Sequence, residues 1–128
     1  MTIATAIRSQ LRSVINQLGS TASLYSFSSA TKSSNEEGDV SVSDWGSATT
    51  IKAISANNFK VRRLLERFGE ESNKSDRGFL VRDDVTINVR DKVTIDSESY
   101  LVHEIKRIDP IENTLLAYKI TLVKDENY

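Results

Sequence analysis

The chain has 128 residues, 38% of them hydrophobic and 27% charged, and its 17 basic and 18 acidic side chains leave a formal net charge of −1. That length suits one domain with a modest core, so 1–128 is expected to fold as a single unit. With no cysteine there are no disulfides, thiolate metal sites or cysteine nucleophiles, which suits an intracellular origin. No apolar run reaches the roughly 18 residues a spanning helix needs, no signal peptide is visible, and no global positive field marks a nucleic-acid binder.

Ile3, Ile7, Leu11, Val14, Ile15 and Leu18 recur every three or four residues, which predicts an amphipathic helix over 2–18. Thr2 suits its N-cap and Gly19 the left-handed position that ends it. The apolar stripe either packs on the domain's own sheet or docks on a neighbouring subunit.

The window 20–50 changes character, with ten serines and the pair Glu36 and Glu37. Residues 23–28 suit a strand. Residues 29–48 are expected to form a flexible loop, whose main apolar residues are Val40, Val42 and Trp45. A loop of that length in a compact domain is uncommon, and is usually functional or disordered. Trp45 either anchors an interface or folds back as a lid on its own core.

Residues 49–55 read as a strand. Asn57 and Asn58 offer cap chemistry for a helix within 58–69, with Phe59, Val61, Leu64, Leu65 and Phe68 apolar and Gly69 ending it. Residues 70–78 are a polar loop and 79–81 an apolar strand. Val85, Ile87 and Val89 alternate with polar residues at the period of a half-buried strand, and Val93 and Ile95 continue it. A tight turn over 96–99 leads to a long strand over 100–108, whose alternation slips between Val102 and Ile105 and predicts a bulge. A second turn over 109–113 precedes a closing strand bearing Leu116, Tyr118, Ile120 and Leu122. The fold expected is mainly β with helices (α+β): a small antiparallel barrel or sandwich, its strand-rich core over 49–128.

Little in the chain has the spacing that catalysis needs. His103 is the single histidine. Glu104 adjoins it, but neighbouring strand residues point to opposite faces, so no triad forms there. One histidine cannot make a zinc site. Asp83, Asp84, Asp91, Asp96 and Glu98 match no calcium loop and suit turns and solubility. The five glycines form no phosphate-binding pattern. No metal, cofactor or catalytic residue is therefore expected. Lys60, Arg62, Arg63 and Arg67 are the densest basic patch, either a solvated helix face or a surface for phosphates or a partner's carboxylates.

Three segments carry a family resemblance: Asp91-Lys92-Val93-Thr94-Ile95-Asp96, then Tyr100-Leu101-Val102 with Ile105, then Tyr118-Lys119-Ile120-Thr121-Leu122-Val123-Lys124. With the order of elements, they resemble the head closure or head–tail joining (neck connector) proteins of tailed bacteriophages. The final 35 residues or so carry the match well. The family's turn glycine is replaced within 96–99, and the N-terminal helix is more prominent than its pattern. The helix leaves open a tail-completion or tail adaptor protein of the same neck.

The resemblance implies a virion protein, made in the host cytoplasm, that forms a six- or twelve-fold ring between portal and tail. Such a ring closes the DNA-filled head and presents a surface for tail attachment. Its partners would be copies of itself, portal or adaptor and tail proteins, and possible non-specific contact with packaged DNA; no membrane or small-molecule substrate is implied. A long early loop that orders only on assembly is a family trait, and 29–47 stands in that place. Val40, Val42 and Trp45 are then the expected partner contacts. Lys60, Arg62, Arg63 and Arg67 are the expected inter-subunit or DNA-facing charges. The reading from another class is a small nucleic-acid-binding barrel, against which the near-neutral charge and the lack of strand-borne aromatic pairs both stand.

Overall fold

A computed structural model describes residues 3–34, 38, 40–67, 78–109 and 114–124. In chain order its elements are α1 (Ile3–Leu18), β1 (Ser20–Tyr25), β2 (Thr31–Ser34), β3 (Val40–Asp44), β4 (Thr49–Ser55), α2 (Phe59–Arg67), β5 (Phe79–Arg82), β6 (Lys92–Ile95), β7 (Glu98–Ile108) and β8 (Ala117–Lys124). Six strands close an antiparallel barrel in the order β1-β4-β5-β8-β7-β6, with β6 pairing back onto β1. β2 and β3 form a separate two-stranded sheet.

Successive side chains on a strand face opposite ways, so a strand can serve two cores, as β4, β5, β7 and β8 do. Ala22, Leu24, Ile51, Ala53, Val81, Val93, Ile95, Val102 and Ile120 form one buried cluster that fills the barrel, joined by Ile87 from the chain between β5 and β6. The alternate positions Ile54, Leu80, Ile108 and Ala117 belong to a second cluster with Leu116 and with Ile7, Leu11 and Ile15 of α1 and Val61, Leu64 and Leu65 of α2. Helix α1 packs against β4, β5 and α2.

The centre of the α1 stripe is buried at Ile7, Leu11 and Ile15, and its two ends, Ile3 and Leu18, are exposed. Gly19 does not take the expected left-handed conformation, since among the described glycines only Gly38 and Gly46 have positive φ. Its need for a bare Cα is steric. A Cβ there would lie 2.4 Å from the Ile15 carbonyl oxygen and 3.2 Å from that of Ala53. The helix thus passes into β1 against the backbone of β4. Thr2, Phe68 and Gly69, and most of the polar loop expected at 70–78 and of the turn expected at 109–113, lie outside the described residues. At α2 the Asn58 side-chain oxygen accepts from the Lys60 N–H at 3.0 Å and, more weakly, the Val61 N–H at 3.4 Å, as an N-cap does.

The β6–β7 hairpin closes with Ile95 opposite Glu98, and both linking residues have positive φ, Asp96 at 51° and Ser97 at 67°. Two left-handed residues in sequence match the right-handed twist of the strands, which is why such turns favour glycine or asparagine. The expected bulge is present. Val102 pairs with Leu122 and Glu104 with Thr121, leaving His103 as the extra residue. The slip lets Val102 and Ile105, three apart, both belong to the barrel interior.

Two further sequence expectations are corrected. Residues 85–89 form no strand despite their alternation. The Val85 N–H turns back to the Arg82 carbonyl, and the Asn88 N–H donates to the Asp91 carboxylate, so these donors are not available to a ladder. The window 29–48 is not wholly irregular, because β2 and β3 pair within it.

Candidate interaction surfaces

The β2–β3 hairpin stands on β1 and β4 as the link between them. Nearly all of its strand residues are exposed. Val40 is 45% exposed and Val42 half-buried. At its base three aromatic rings and three cations interleave. Trp45, half-buried, lies against Phe27 with ring centroids 6.3 Å apart and a tilt of 56°. Lys92 Nζ sits 5.1 Å from the Tyr25 ring and 5.8 Å from the Trp45 ring. Lys32 Nζ and the Arg90 guanidinium approach the Phe27 ring at 4.6 and 5.6 Å. Such contacts contribute about 0.5–1 kcal/mol each at exposed sites. Lys32 also donates to the carbonyl oxygens of Phe27 at 2.6 Å and Ala30 at 3.2 Å.

Beneath this cluster Asp91 is 2% exposed. One carboxylate oxygen accepts the Phe27 N–H and the other the Asn88 N–H, both at 2.9 Å. A buried carboxylate tolerates burial when charge-assisted hydrogen bonds satisfy it. Here they tie the start of the hairpin segment to the chain before β6. Its neighbour Arg90 has φ 79°, a strained conformation for a non-glycine residue, and holds its N–H on the Val102 carbonyl at 2.9 Å.

The second surface is a groove of about 470 Å³ between α1 and α2. Val14, Leu64 and Phe59 give it apolar walls, and Lys60, Arg63 and Arg67 line it with positive charge. Phe59 is 63% exposed, with the Arg63 guanidinium over its ring at 5.1 Å. Among the described residues no carboxylate pairs with Lys60, Arg63 or Arg67. Arg62 does not line the groove, and its Nε is buried without a hydrogen-bond partner among the described residues. The basic patch of the sequence is therefore split by the helix, three residues to the groove and one away from it.

The acidic residues do different work from one another. Asp83 takes a two-pronged pair from Arg12 at 2.7 and 2.8 Å, with Arg8 at 3.7 Å, and fastens α1 to the end of β5. Burial pushes the Asp83 carboxyl up, but the hydrogen bonds from Arg12 and the charges of Arg12 and Arg8 outweigh it and hold the group below its ordinary value. Asp84 pairs with Arg82 in the same forked way, at 3.0 and 2.7 Å. Glu98 accepts the Tyr100 hydroxyl at 2.7 Å, a bond that, with burial and the nearby charge, raises the Tyr100 group.

His103 and Glu104 are both exposed on the bulge. Among the described residues no group of three His, Cys, Asp or Glu side chains is placed to hold a metal ion. A polar cleft of about 560 Å³ beside β4 includes Asn16, Lys52, Arg82 and Asp84, and its Arg82 is held by Asp84 and by Asn16.

Of the sequence candidates, the structure brings Lys60, Arg63 and Arg67 together and sets Trp45 at the foot of a hairpin that bears Val40 and Val42. Sequence reasoning missed Tyr25, Phe27, Lys32, Arg90 and Lys92. They come from three separate segments, and no local pattern announced their meeting. Asp91 had a signal, an acid opening a strand after a polar stretch, but nothing marked it as buried.

No model of a known protein family matches the chain, and no significant match is found among curated proteins.

Proposed function

We propose that this protein is a structural subunit of a tailed-bacteriophage neck, forming a ring between portal and tail that closes the filled head and receives the tail. The observation that carries the reading is the exposed β2–β3 hairpin, set on a closed and side-chain-filled barrel. A ring of identical subunits repeats one interface, so each copy needs two complementary patches and no reaction centre. The hairpin and the cationic groove are distinct surfaces open to such contacts. The sequence resemblance supplies the neck; a tail-completion or tail adaptor ring of the same neck has the same geometric needs.

The test is a tagged pull-down from the native producing cells, with mass spectrometry of what is retained. Portal and tail components are expected. Their absence, with the tagged protein intact and folded, overturns the reading.

One observation favours a second reading, a nucleic-acid-binding barrel: the interleaved Tyr25, Phe27, Trp45, Lys32, Arg90 and Lys92 have the residue types of a stacking surface. Against it, the rings already carry cations of their own chain. Binding of single-stranded DNA that falls steeply with salt would favour this second reading.

A further inference from the structure

We infer that the β6–β7 turn of one copy docks in the α1–α2 groove of the next, head to tail, with Asp96 and Glu98 meeting Lys60, Arg63 and Arg67. This rests on the ring reading above and specifies the contact between neighbouring copies, which leaves the β2–β3 hairpin to portal or tail.

Complementary charge is the first argument. The groove presents Lys60, Arg63 and Arg67 without carboxylate partners among the described residues, beside the exposed ring of Phe59. The β6–β7 turn presents Asp96 and Glu98, both exposed and neither in an ion pair among the described residues. The Glu98 hydrogen bond, burial and the charges of both carboxylates raise the Tyr100 group, so the two charges stand together at one tip. The other exposed carboxylates outside ion pairs among the described residues, Asp44, Glu66 and Glu104, stand singly. The tip is also narrow, because a two-residue turn joins strands about 5 Å apart.

An apolar patch accompanies the charge on each side. Behind the turn Leu101 and Val123 face each other across β7 and β8. Their neighbours Val102 and Leu122 face the barrel interior, so this pair lies on the outer wall, with Val123 43% exposed. In the groove the corresponding walls are Val14, Leu64 and Phe59. A bare phosphate surface would have no use for them.

Topology is the second argument, since it sets the two surfaces of one copy back to back. In the closed order β1-β4-β5-β8-β7-β6, the pair β6–β7 stands across the barrel from the pair β4–β5. Helix α1 packs on β4, β5 and α2, so the groove and the turn lie on opposite sides and cannot meet within one copy. A contact between unlike patches is heterologous, and it generates a ring when its rotation closes.

The test is charge exchange, read by sedimentation of the full-length chain at up to about 1 mM, where even weak contacts are populated. The variants are Arg63→Glu with Arg67→Glu in the groove, and Asp96→Asn with Glu98→Lys in the turn, where asparagine tolerates the positive φ. The unaltered chain is expected to self-associate, less so as salt rises. Each variant alone is expected to lose about a hundredfold or more in association, because like charges then face each other. Mixing the two restores complementary pairs at every contact and is expected to restore association. The milder Asp96→Asn with Glu98→Gln, which keeps an acceptor for the Tyr100 hydroxyl, is expected to lose about tenfold. Circular dichroism confirms that each remains folded.

Three results overturn the inference: an unaltered chain that stays monomeric, folded variants that associate as the parent does, or a mixture that fails to recover. A chain that pairs in this way yet retains no portal or tail component keeps the inference and removes the neck reading. Retention of those components without this pairing does the reverse.

Discussion

The barrel with its two helices and the β2–β3 hairpin are held by different forces. The barrel body has two apolar clusters, one inside the barrel and one beneath α1 and α2, so β4, β5, β7 and β8 are fixed from both faces. Among the described residues, the hairpin contributes none to either cluster. It is fastened at its foot by the Asp91 carboxylate and by cations lying on Tyr25, Phe27 and Trp45. An isolated two-stranded hairpin is marginal in water. A segment that adds so little to burial but is anchored so specifically is better explained by what it presents than by what it stabilises.

The sharpest way to break this contrast is in the helix layer. Leu11 is fully buried in the outer cluster, and Leu11→Ala should destabilise the fold by about 2–5 kcal/mol in chemical denaturation. A loss under 1 kcal/mol would mean that α1 is not part of the stable body.

Next comes the anchor. Asp91→Ala leaves the Phe27 and Asn88 N–H groups without their acceptor, and should cost about 2–4 kcal/mol while speeding hydrogen exchange at Phe27 and Asn88. An unchanged exchange rate at Phe27 would dissociate Asp91 from the hairpin.

The Asp83 pair gives a pH signature confined to the body. Its folded carboxyl lies below the ordinary value, so the stability it contributes is present above the unfolded value of about 3.9 and is lost as pH falls through the lower folded value. Asp83→Asn should destabilise by about 1–3 kcal/mol at neutral pH, and its deficit should shrink below about pH 4. A deficit that does not change between pH 7 and 3 would contradict the pairing with Arg12 and Arg8.

The smallest effect is a gain. Ser97 sits at φ 67° in the β6–β7 turn, where glycine has no steric penalty, and Ser97→Gly should stabilise by about 0.5–1 kcal/mol in thermal unfolding.

Where structure is local, the sequence shows it. The three- and four-residue spacing of Ile7, Leu11 and Ile15, the Asn58 cap, the run that becomes β4 and the slip at His103 are visible because period and turn chemistry act within a few residues. The misreadings at 85–89 and at β2–β3 have different causes. At Val85, Ile87 and Val89 the alternation is real, but only Ile87 is buried, because the Asp91 carboxylate captures the Asn88 N–H. At β2 and β3 both faces are solvated, so composition suggested a loop, although Val40 and Val42 alternating with Ser41 and Ser43 did carry the period of a strand. The candidate surfaces were legible in part. The face formed by Lys60, Arg63 and Arg67 follows from helical spacing, whereas the Phe27, Trp45 and Lys92 cluster depends on barrel closure, which no local pattern encodes.

The measurement that tests the central claim most directly is the pull-down from producing cells, run in parallel with the intact chain and with one in which residues 31–44 are replaced by a short Gly-Ser link. The account predicts that the shortened chain keeps its fold, with its thermal midpoint little changed, and retains no portal or tail components. A shortened chain that still captures those partners, or one that no longer folds, would contradict the assignment of the hairpin as the element that docks.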